Sequence, residues 1–369
     1  MFSYFHQSDI IYKPISKTLT ATHRQYILNL KQASGTSRGV LNTKETWFIV
    51  IRENNKIGIG ECGILRGLSI DDRPEYEQKL AWMCQNIHLG KEKLWDALLE
   101  FPSIQFGVEM AFQSLASNSI FDLFPSQFTQ SQKSIPINGL VWMGEKQFMK
   151  SQIEQKLNEG FKCIKLKIGA INFNEELELL GHIRQHFSAK QIEIRVDANG
   201  AFDPKDALRK LHQLHEFEIH SIEQPVAKQH VDTLKMLCEK SPFPIALDES
   251  LIGVFNHVDK VKLLSYIKPQ YIILKPSFIG GFRGTSEWIS IAKNLNIDWW
   301  VTSALESNIG LNAIAQWTFL QNNVMPQGLG TGGLYTNNFD CPLLVENGQL
   351  WYEENKTWNF EQISKIFNV

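Results

Sequence analysis

Lys165 and Lys167 stand two apart in the short apolar run "CIKLKI" (163–168). Further along, "RVDANG", "SIEQP", "ALDES" and "ILKPS" carry Asp197, Glu223, Asp248 and Lys275. A strand turns alternate side chains to opposite faces, so Ile164, Leu166 and Ile168 share one face and Cys163, Lys165 and Lys167 the other. Lysine is seldom buried without a partner, so this is either an edge strand with a solvated face or a strand lining a polar cavity. Three carboxylates gathered in a low-dielectric mouth raise one another's pKa, and burial adds to the effect. A divalent cation resolves that conflict. Hard oxygen donors favour Mg²⁺, with Mn²⁺ able to replace it. Asp197, Glu223 and Asp248 are the expected ligands, and Glu249, of opposite parity to Asp248, is expected behind them. A lysine beside a cation and a second lysine has its ammonium form disfavoured, so its pKa falls towards working pH. That suits removal of a proton next to a carboxylate, where the cation stabilises the enediolate oxygens.

These residues need a scaffold that repeats. From Lys167 to Asp197 is 30 residues, and the next steps, to Glu223, Asp248 and Lys275, are 26, 25 and 27. Each step is the length of one β/α unit. Strand-like runs lie at 135–141, 162–168, 192–199, 219–225, 244–250, 271–277 and 298–307, with a weaker eighth at 326–330. Amphipathic stretches separate them, which means a parallel sheet. Seven or eight units fit a closed (β/α)₇β TIM-like barrel better than an open doubly wound sheet, and no G-x-G-x-x-G follows the first strand. The charged residues fall near the C-terminal strand ends, where barrel enzymes place their chemistry, and are expected at equal depth in one ring.

Upstream, residues 22–62 read as strands and 75–124 as helices, an α+β capping domain. Asn54-Asn55 suits a hairpin turn, and "ASGTSRGVLNTKE" (33–45) reads as a loop. The polar linker 125–134 separates the two regions. The expected domains are 1–130 (capping), 131–340 (barrel) and 341–369, whose hairpin at 346–358 is expected to return to the capping domain. The Trp-rich "IDWWVTS" is expected in the core.

Composition narrows the function classes. The 369-residue chain is 43% hydrophobic and 21% charged with a net charge of −2, an ordinary globular balance without a basic field for nucleic acid or an anionic membrane. No apolar stretch reaches roughly 18 residues, and the N-terminus lacks the pattern of a secretory signal. Five scattered cysteines without C-x-x-C spacing suggest reduced thiols and a cytoplasmic location. The ten histidines show no metal-ligand set.

The K-x-K of Lys165 and Lys167, then Asp197, Glu223, Asp248 and Lys275, resembles the pattern of the enolase superfamily's muconate-lactonizing subgroup over nearly the whole chain. Within it, "IPINGLV", "RVDANGAF", "IEQP", "ALDES" and "TSALESNIGLNAIAQW" are most similar to the branch that makes o-succinylbenzoate for menaquinone. The resemblance implies syn dehydration of 2-succinyl-6-hydroxy-2,4-cyclohexadiene-1-carboxylate. Lys167 would be the base and the acid for the leaving hydroxyl. Lys165 would sit near the substrate carboxylate and tune Lys167, and Lys275 would face the ring as a cation over a π system. Asn199 and Ser303 are further candidates for substrate binding, Ser303 directly or with the backbone N–H groups of a helix start. Ser307 as a simple N-cap is the competing reading of that segment. The loops 37–45 and 63–72 match segments that close over substrate, with Arg38 and Arg66 as anion contacts. N-succinylamino acid racemase and muconate cycloisomerase activities remain alternatives. Dipeptide epimerisation is disfavoured because "QGLGTGGLY" lacks acids, and a non-catalytic relative because the polar set is intact.

Overall fold

Three antiparallel strands begin the chain: β1 (Thr20–Thr36), β2 (Gly39–Glu53) and β3 (Lys56–Cys62). A computed structural model describes residues 19–36 and 39–368, with side chains 34–36 left out, so Arg38 lies outside the described residues. The segment 33–45, expected as a loop, forms mostly the outer ends of β1 and β2, since Gly35 pairs with Val40 and Asn29 with Thr43. Cross-strand pairing there overrides weak local propensity.

Helices α1 (Tyr76–Gln85), α2 (Gly90–Ala97) and α3 (Pro102–Ala116) cover one face of this sheet. Proline opens α3, where its missing N–H costs nothing. Gly60 lets α3 lie against β3, because a Cβ there would stand 1.9 Å from the Gly107 carbonyl oxygen.

The alternation downstream folds as β4 (Ile135–Pro136), β5 (Gly139–Val141), α4 (Lys146–Asn158), β6 (Cys163–Lys167), α5 (Phe173–His186), β7 (Glu193–Asp197), α6 (Ala207–His215), β8 (Ser221–Glu223), α7 (Val231–Lys240), β9 (Ile245–Leu247), α8 (His257–Ile267), β10 (Tyr271–Leu274), α9 (Pro276–Ile279), α10 (Gly281–Asn294), β11 (Asp298–Val301) and α11 (Asn308–Leu320). Strands β5 to β11 form one parallel sheet in chain order. The run 326–330 closes it: Gly328 N donates to Val301 O at 2.8 Å on one side, and Asn138 N donates to Gln327 O at 3.0 Å on the other. The architecture is therefore a (β/α)₇β barrel beside an antiparallel capping sheet. Trp300 is buried as expected.

The C-terminal hairpin β12 (Leu343–Glu346) and β13 (Gln349–Tyr352) does not join the capping sheet. It pairs with β4 at the start of the barrel. The contact with the capping domain is made by α12 (Phe360–Phe367), whose Phe367 ring meets Phe48 of β2 at 4.9 Å. Among the described residues, two large apolar cores result, with two small clusters beside them. Trp47, Ile49 and Ile51 face the capping helices, whereas Phe48, Val50 and Ile59 join the barrel core. All five cysteines are free thiols. Among the described residues no helix is long and apolar enough to cross a membrane.

Candidate active site

Strand register builds the site. Lys167 pairs with Asp197 and Asp197 with Glu223, so these three lie level on β6, β7 and β8. Glu223 then pairs with Ala246, and Ala246 with Tyr271. Asp248 therefore stands two residues above that level, and Lys275 two above Asp248. The ring expected at one depth is a rising spiral, which is the stagger that closing a sheet into a barrel requires.

Asp197, Glu223, Asp248 and Lys165 are buried, and the Lys167 and Lys275 side chains are only 13% and 12% exposed. The cluster is internally paired. Lys165 Nζ lies 3.0 Å from Asp197 Oδ2 and also donates to Glu223 Oε2. Lys167 Nζ donates to Asp197 Oδ2 at 3.0 Å and to Asn199 Oδ1 at 2.6 Å. Lys275 Nζ donates to Asp248 Oδ2. Asn199, at φ +44°, is fixed by its N–H to Asp197 Oδ1 (3.0 Å) and by its side-chain amide to Glu249 Oε1 (2.9 Å). Glu249 thus stands behind Asn199 rather than behind Asp248.

The Lys165 and Lys275 pKa values do not fall in these contacts. Burial disfavours the Lys165 ammonium, but the Asp197, Glu223 and Asp248 carboxylates outweigh it and hold its pKa above the ordinary value. Lys275 is raised for the same reason, with Asp248 its main counter-charge. Burial opposes ionisation of Asp197, yet the lysines pull its pKa well below the usual carboxylate range. Glu223 is pushed up to about 7 by burial, only partly offset by Lys165. Among the described residues no three His, Cys, Asp or Glu side chains stand at metal-ligating spacing. One Glu223 oxygen, Oε1, is nevertheless buried without a hydrogen-bond partner.

Above the cluster lies a cavity of about 590 Å³, lined by Lys165, Lys167, Lys275, Asn199 and Ser303, by Trp142 and Phe148 of the barrel, and by both capping loops. Ser303 is part of a braced turn. Its hydroxyl accepts from Leu305 N (2.9 Å) and Thr331 Oγ1 (2.8 Å), and Tyr335 donates to Leu305 O at 2.8 Å. Leu305 sits at φ +64°, a costly conformation for a bulky side chain that such bracing sustains.

The start of α11 is not open to a ligand, contrary to the anion-binding expectation. Ser307 is its N-cap, and Glu61 from β3 accepts from Ser307 N and Gly310 N, both at 2.8 Å, and from Ser307 Oγ. A carboxylate at a helix start is favoured by the unpaired N–H groups and the dipole. Glu61 also accepts from Thr46 at 2.8 Å, and the buried Lys44 Nζ lies 4.0 Å from it. Nothing in the local sequence pairs residues this far apart. The only hint is a pair of charges, Lys44 and Glu61, inside apolar strands.

Arg66 is also committed. It lines the cavity, but its guanidinium is held by Glu45 (Nε to Oε2, 3.2 Å) and Asp72 (2.7 Å), so it ties the end of one capping loop to the other.

The chain matches the family model "Enolase C-terminal domain-like" over residues 149–355 and "MenC, N-terminal domain" over 20–115. It is 44% identical over 360 residues to an o-succinylbenzoate synthase from Desulfotalea psychrophila, covering 89% of this chain and 98% of that one. The crystal structure of MenC from Desulfotalea psychrophila superposes with a TM-score of 0.80 at 40% identity, covering 90% of this chain and 99% of that chain. A dipeptide epimerase from Enterococcus faecalis, solved with Mg and the dipeptide L-Leu-L-Tyr, superposes with a TM-score of 0.80 at 20% identity, over 92% and 98% of the two chains, a likeness of fold.

Proposed function

The chain belongs to the enolase C-terminal domain-like family, and within it we propose that it catalyses the o-succinylbenzoate synthase reaction of menaquinone biosynthesis. In that reaction 2-succinyl-6-hydroxy-2,4-cyclohexadiene-1-carboxylate loses water and becomes aromatic. The carrying observation is the conjunction of near-full-length similarity to such an enzyme with a buried cluster of three lysines and three acids at the barrel mouth. The enzyme is a carbon–oxygen lyase.

Asp197, Glu223 and Asp248 fit a hard divalent cation: all three are buried oxygen donors on neighbouring strands, and Glu223 Oε1 lacks a partner. The Mg in the epimerase of the same fold agrees with this choice, and Mn²⁺ is expected to substitute. When bound, such a cation supplies positive charge to the oxygens of the substrate carboxylate. Lys167, as the free amine, takes the ring proton next to that carboxylate. It then gives a proton to the hydroxyl on the same face, which leaves as water. Asn199 holds Lys167 Nζ in place, and Glu249 holds Asn199. Lys165 keeps its charge between Asp197 and Glu223. Lys275 approaches from β10, four strands away, as a fixed cation over the ring. Ser303 and Asn199 stand at the cavity wall to meet the substrate, a small-molecule carboxylate.

Two lysines on opposite sides of one carbon also suit a racemase, so N-succinylamino acid racemisation is the second reading. The test is turnover of the cyclohexadiene and of N-succinyl amino acids, each with Mg²⁺ and after exhaustive EDTA treatment. The expected result is metal-dependent dehydration faster than racemisation. Faster racemisation, or dehydration that persists in verified metal-free enzyme, would overturn the reading.

A further inference from the structure

The cavity is lined by capping residues 31–33, 39–41 and 65–68 as well as by the lysine–acid cluster, and resting on the proposed function, its substrate carries a second carboxylate at the tip of the succinyl tail. Six cations line the cavity: Lys31, Arg66, Lys156, Lys165, Lys167 and Lys275. Lys165, Lys167 and Lys275 face the acid cluster. Arg66 is held by Glu45 and Asp72. Lys156 pairs with Glu159 at 2.6 Å and lies over the Phe161 ring. Among the described residues, Lys31 is the cavity-lining cation that no carboxylate engages.

Its position comes from a defect in the sheet. Asn29 pairs with Thr43 and Ser34 with Leu41, so the four residues 30–33 of β1 oppose Asn42 alone. Such a bulge bends its strand and re-aims side chains, and bulges recur beside active sites. Here the bulge is fastened to the barrel. Leu30 forms a bridge with Tyr335, Thr336 N donates to Asn29 O at 2.9 Å, and Asn29 N donates to Asn337 Oδ1 at 2.8 Å. Tyr335 in turn holds the Leu305 carbonyl in the turn that carries Ser303. The residues that place Lys31 on the cavity rim are thus linked to those that shape the cavity wall.

We propose that Lys31 is the specificity residue that pairs with the terminal carboxylate of the substrate's acyl tail. The pair is partly solvated, so its contribution is modest, roughly a three- to tenfold preference. The test compares binding of o-succinylbenzoate with that of 2-butanoylbenzoate, in which a methyl group replaces the tail carboxylate, by calorimetry on wild type, Lys31→Met, Lys31→Arg and Arg38→Met. Wild type should prefer the dicarboxylate, Lys31→Met should lose that preference, and Lys31→Arg should retain most of it. In kinetics the Lys31→Met loss should fall on KM. An undiminished preference in Lys31→Met overturns the proposal, as does its loss in Arg38→Met alone. Turnover of the cyclohexadiene by the same wild-type preparation separates the two levels. Without turnover the functional reading fails, whereas turnover with an indifferent Lys31→Met rejects only the role of Lys31.

Discussion

At the residue scale, the proposed one-base reaction gives the lysines different tasks. Lys167→Ala should lower kcat by more than roughly 10³-fold, the scale expected of a general base. Lys275→Arg keeps a cation opposite Asp248 and should retain more activity on the cyclohexadiene than Lys275→Ala. In a racemase both changes should be equally damaging, because arginine does not deprotonate. Steady-state kinetics of the three variants decides between these outcomes. The six polar residues were legible because a barrel repeats them once per β/α unit and strand parity turns them inward. Their rise along the barrel was not, since register between strands is set by closure of the whole sheet. The state of Arg66 was hidden for a similar reason: its partners Glu45 and Asp72 come from another strand and the far end of its own loop. Arg38 lies outside the described residues and keeps only its sequence-based reading.

At the scale of elements, Glu61 acts as the anionic cap of a helix in the other part of the fold. Removing it leaves the Ser307 and Gly310 N–H groups buried without an acceptor and takes away the carboxylate that stands 4.0 Å from the buried Lys44 ammonium. Burial already lowers the Lys44 pKa. Glu61→Ala should therefore cost about 3–5 kcal/mol in urea denaturation, the scale for breaking a buried ion pair. Adding Lys44→Met should recover part of that loss, because the stranded charge is gone. Strictly additive effects would mean that the two side chains do not interact. Gly310 belongs to the same contact, since a Cβ there would stand 2.7 Å from Glu61 Oε2. The alternation of strands and helices was readable from side-chain period. The closing run at 326–330 was only faintly so, because it pairs through isolated bridges. The hairpin expected at 346–358 forms around its Asn-Gly turn but spans 343–352, and nothing in its own residues could reveal that its partner is β4.

At the scale of the molecule, stability should carry a pH signature from Asp71. Its carboxylate anchors the loop 63–72 to the start of α3, accepting from Ser103 N (2.9 Å) and Ser103 Oγ (2.6 Å). Burial pushes its pKa up to about 6, despite these bonds. The folded state therefore holds this proton more tightly than the unfolded chain. Its stabilising contribution is complete below about pH 4 and is lost as pH rises through about 6, by about 3 kcal/mol. Asp71→Asn keeps both acceptor contacts and removes the titration. Thermal melts from pH 4 to 7 should show a smaller fall in Tm with rising pH for this variant than for wild type. Parallel curves would assign the titration elsewhere.

The two faces of β2 also set a timetable for synthesis. Trp47, Ile49 and Ile51 can be covered by α1 to α3, which follow at once. Phe48 waits for Phe339 and Phe367, near the end of the chain. At about 5–20 residues per second the ribosome needs roughly 15–60 s to travel from the end of β3 to Phe367. Throughout that interval the nascent capping sheet lacks the Phe339 and Phe367 rings that meet Phe48 in the folded protein, which leaves an apolar surface suited to a chaperone or to another nascent chain. Stalled chains ending before α12 should therefore be more sensitive to protease within residues 39–62 than chains extended past Val369, and equal sensitivity would show that the barrel alone shelters that face.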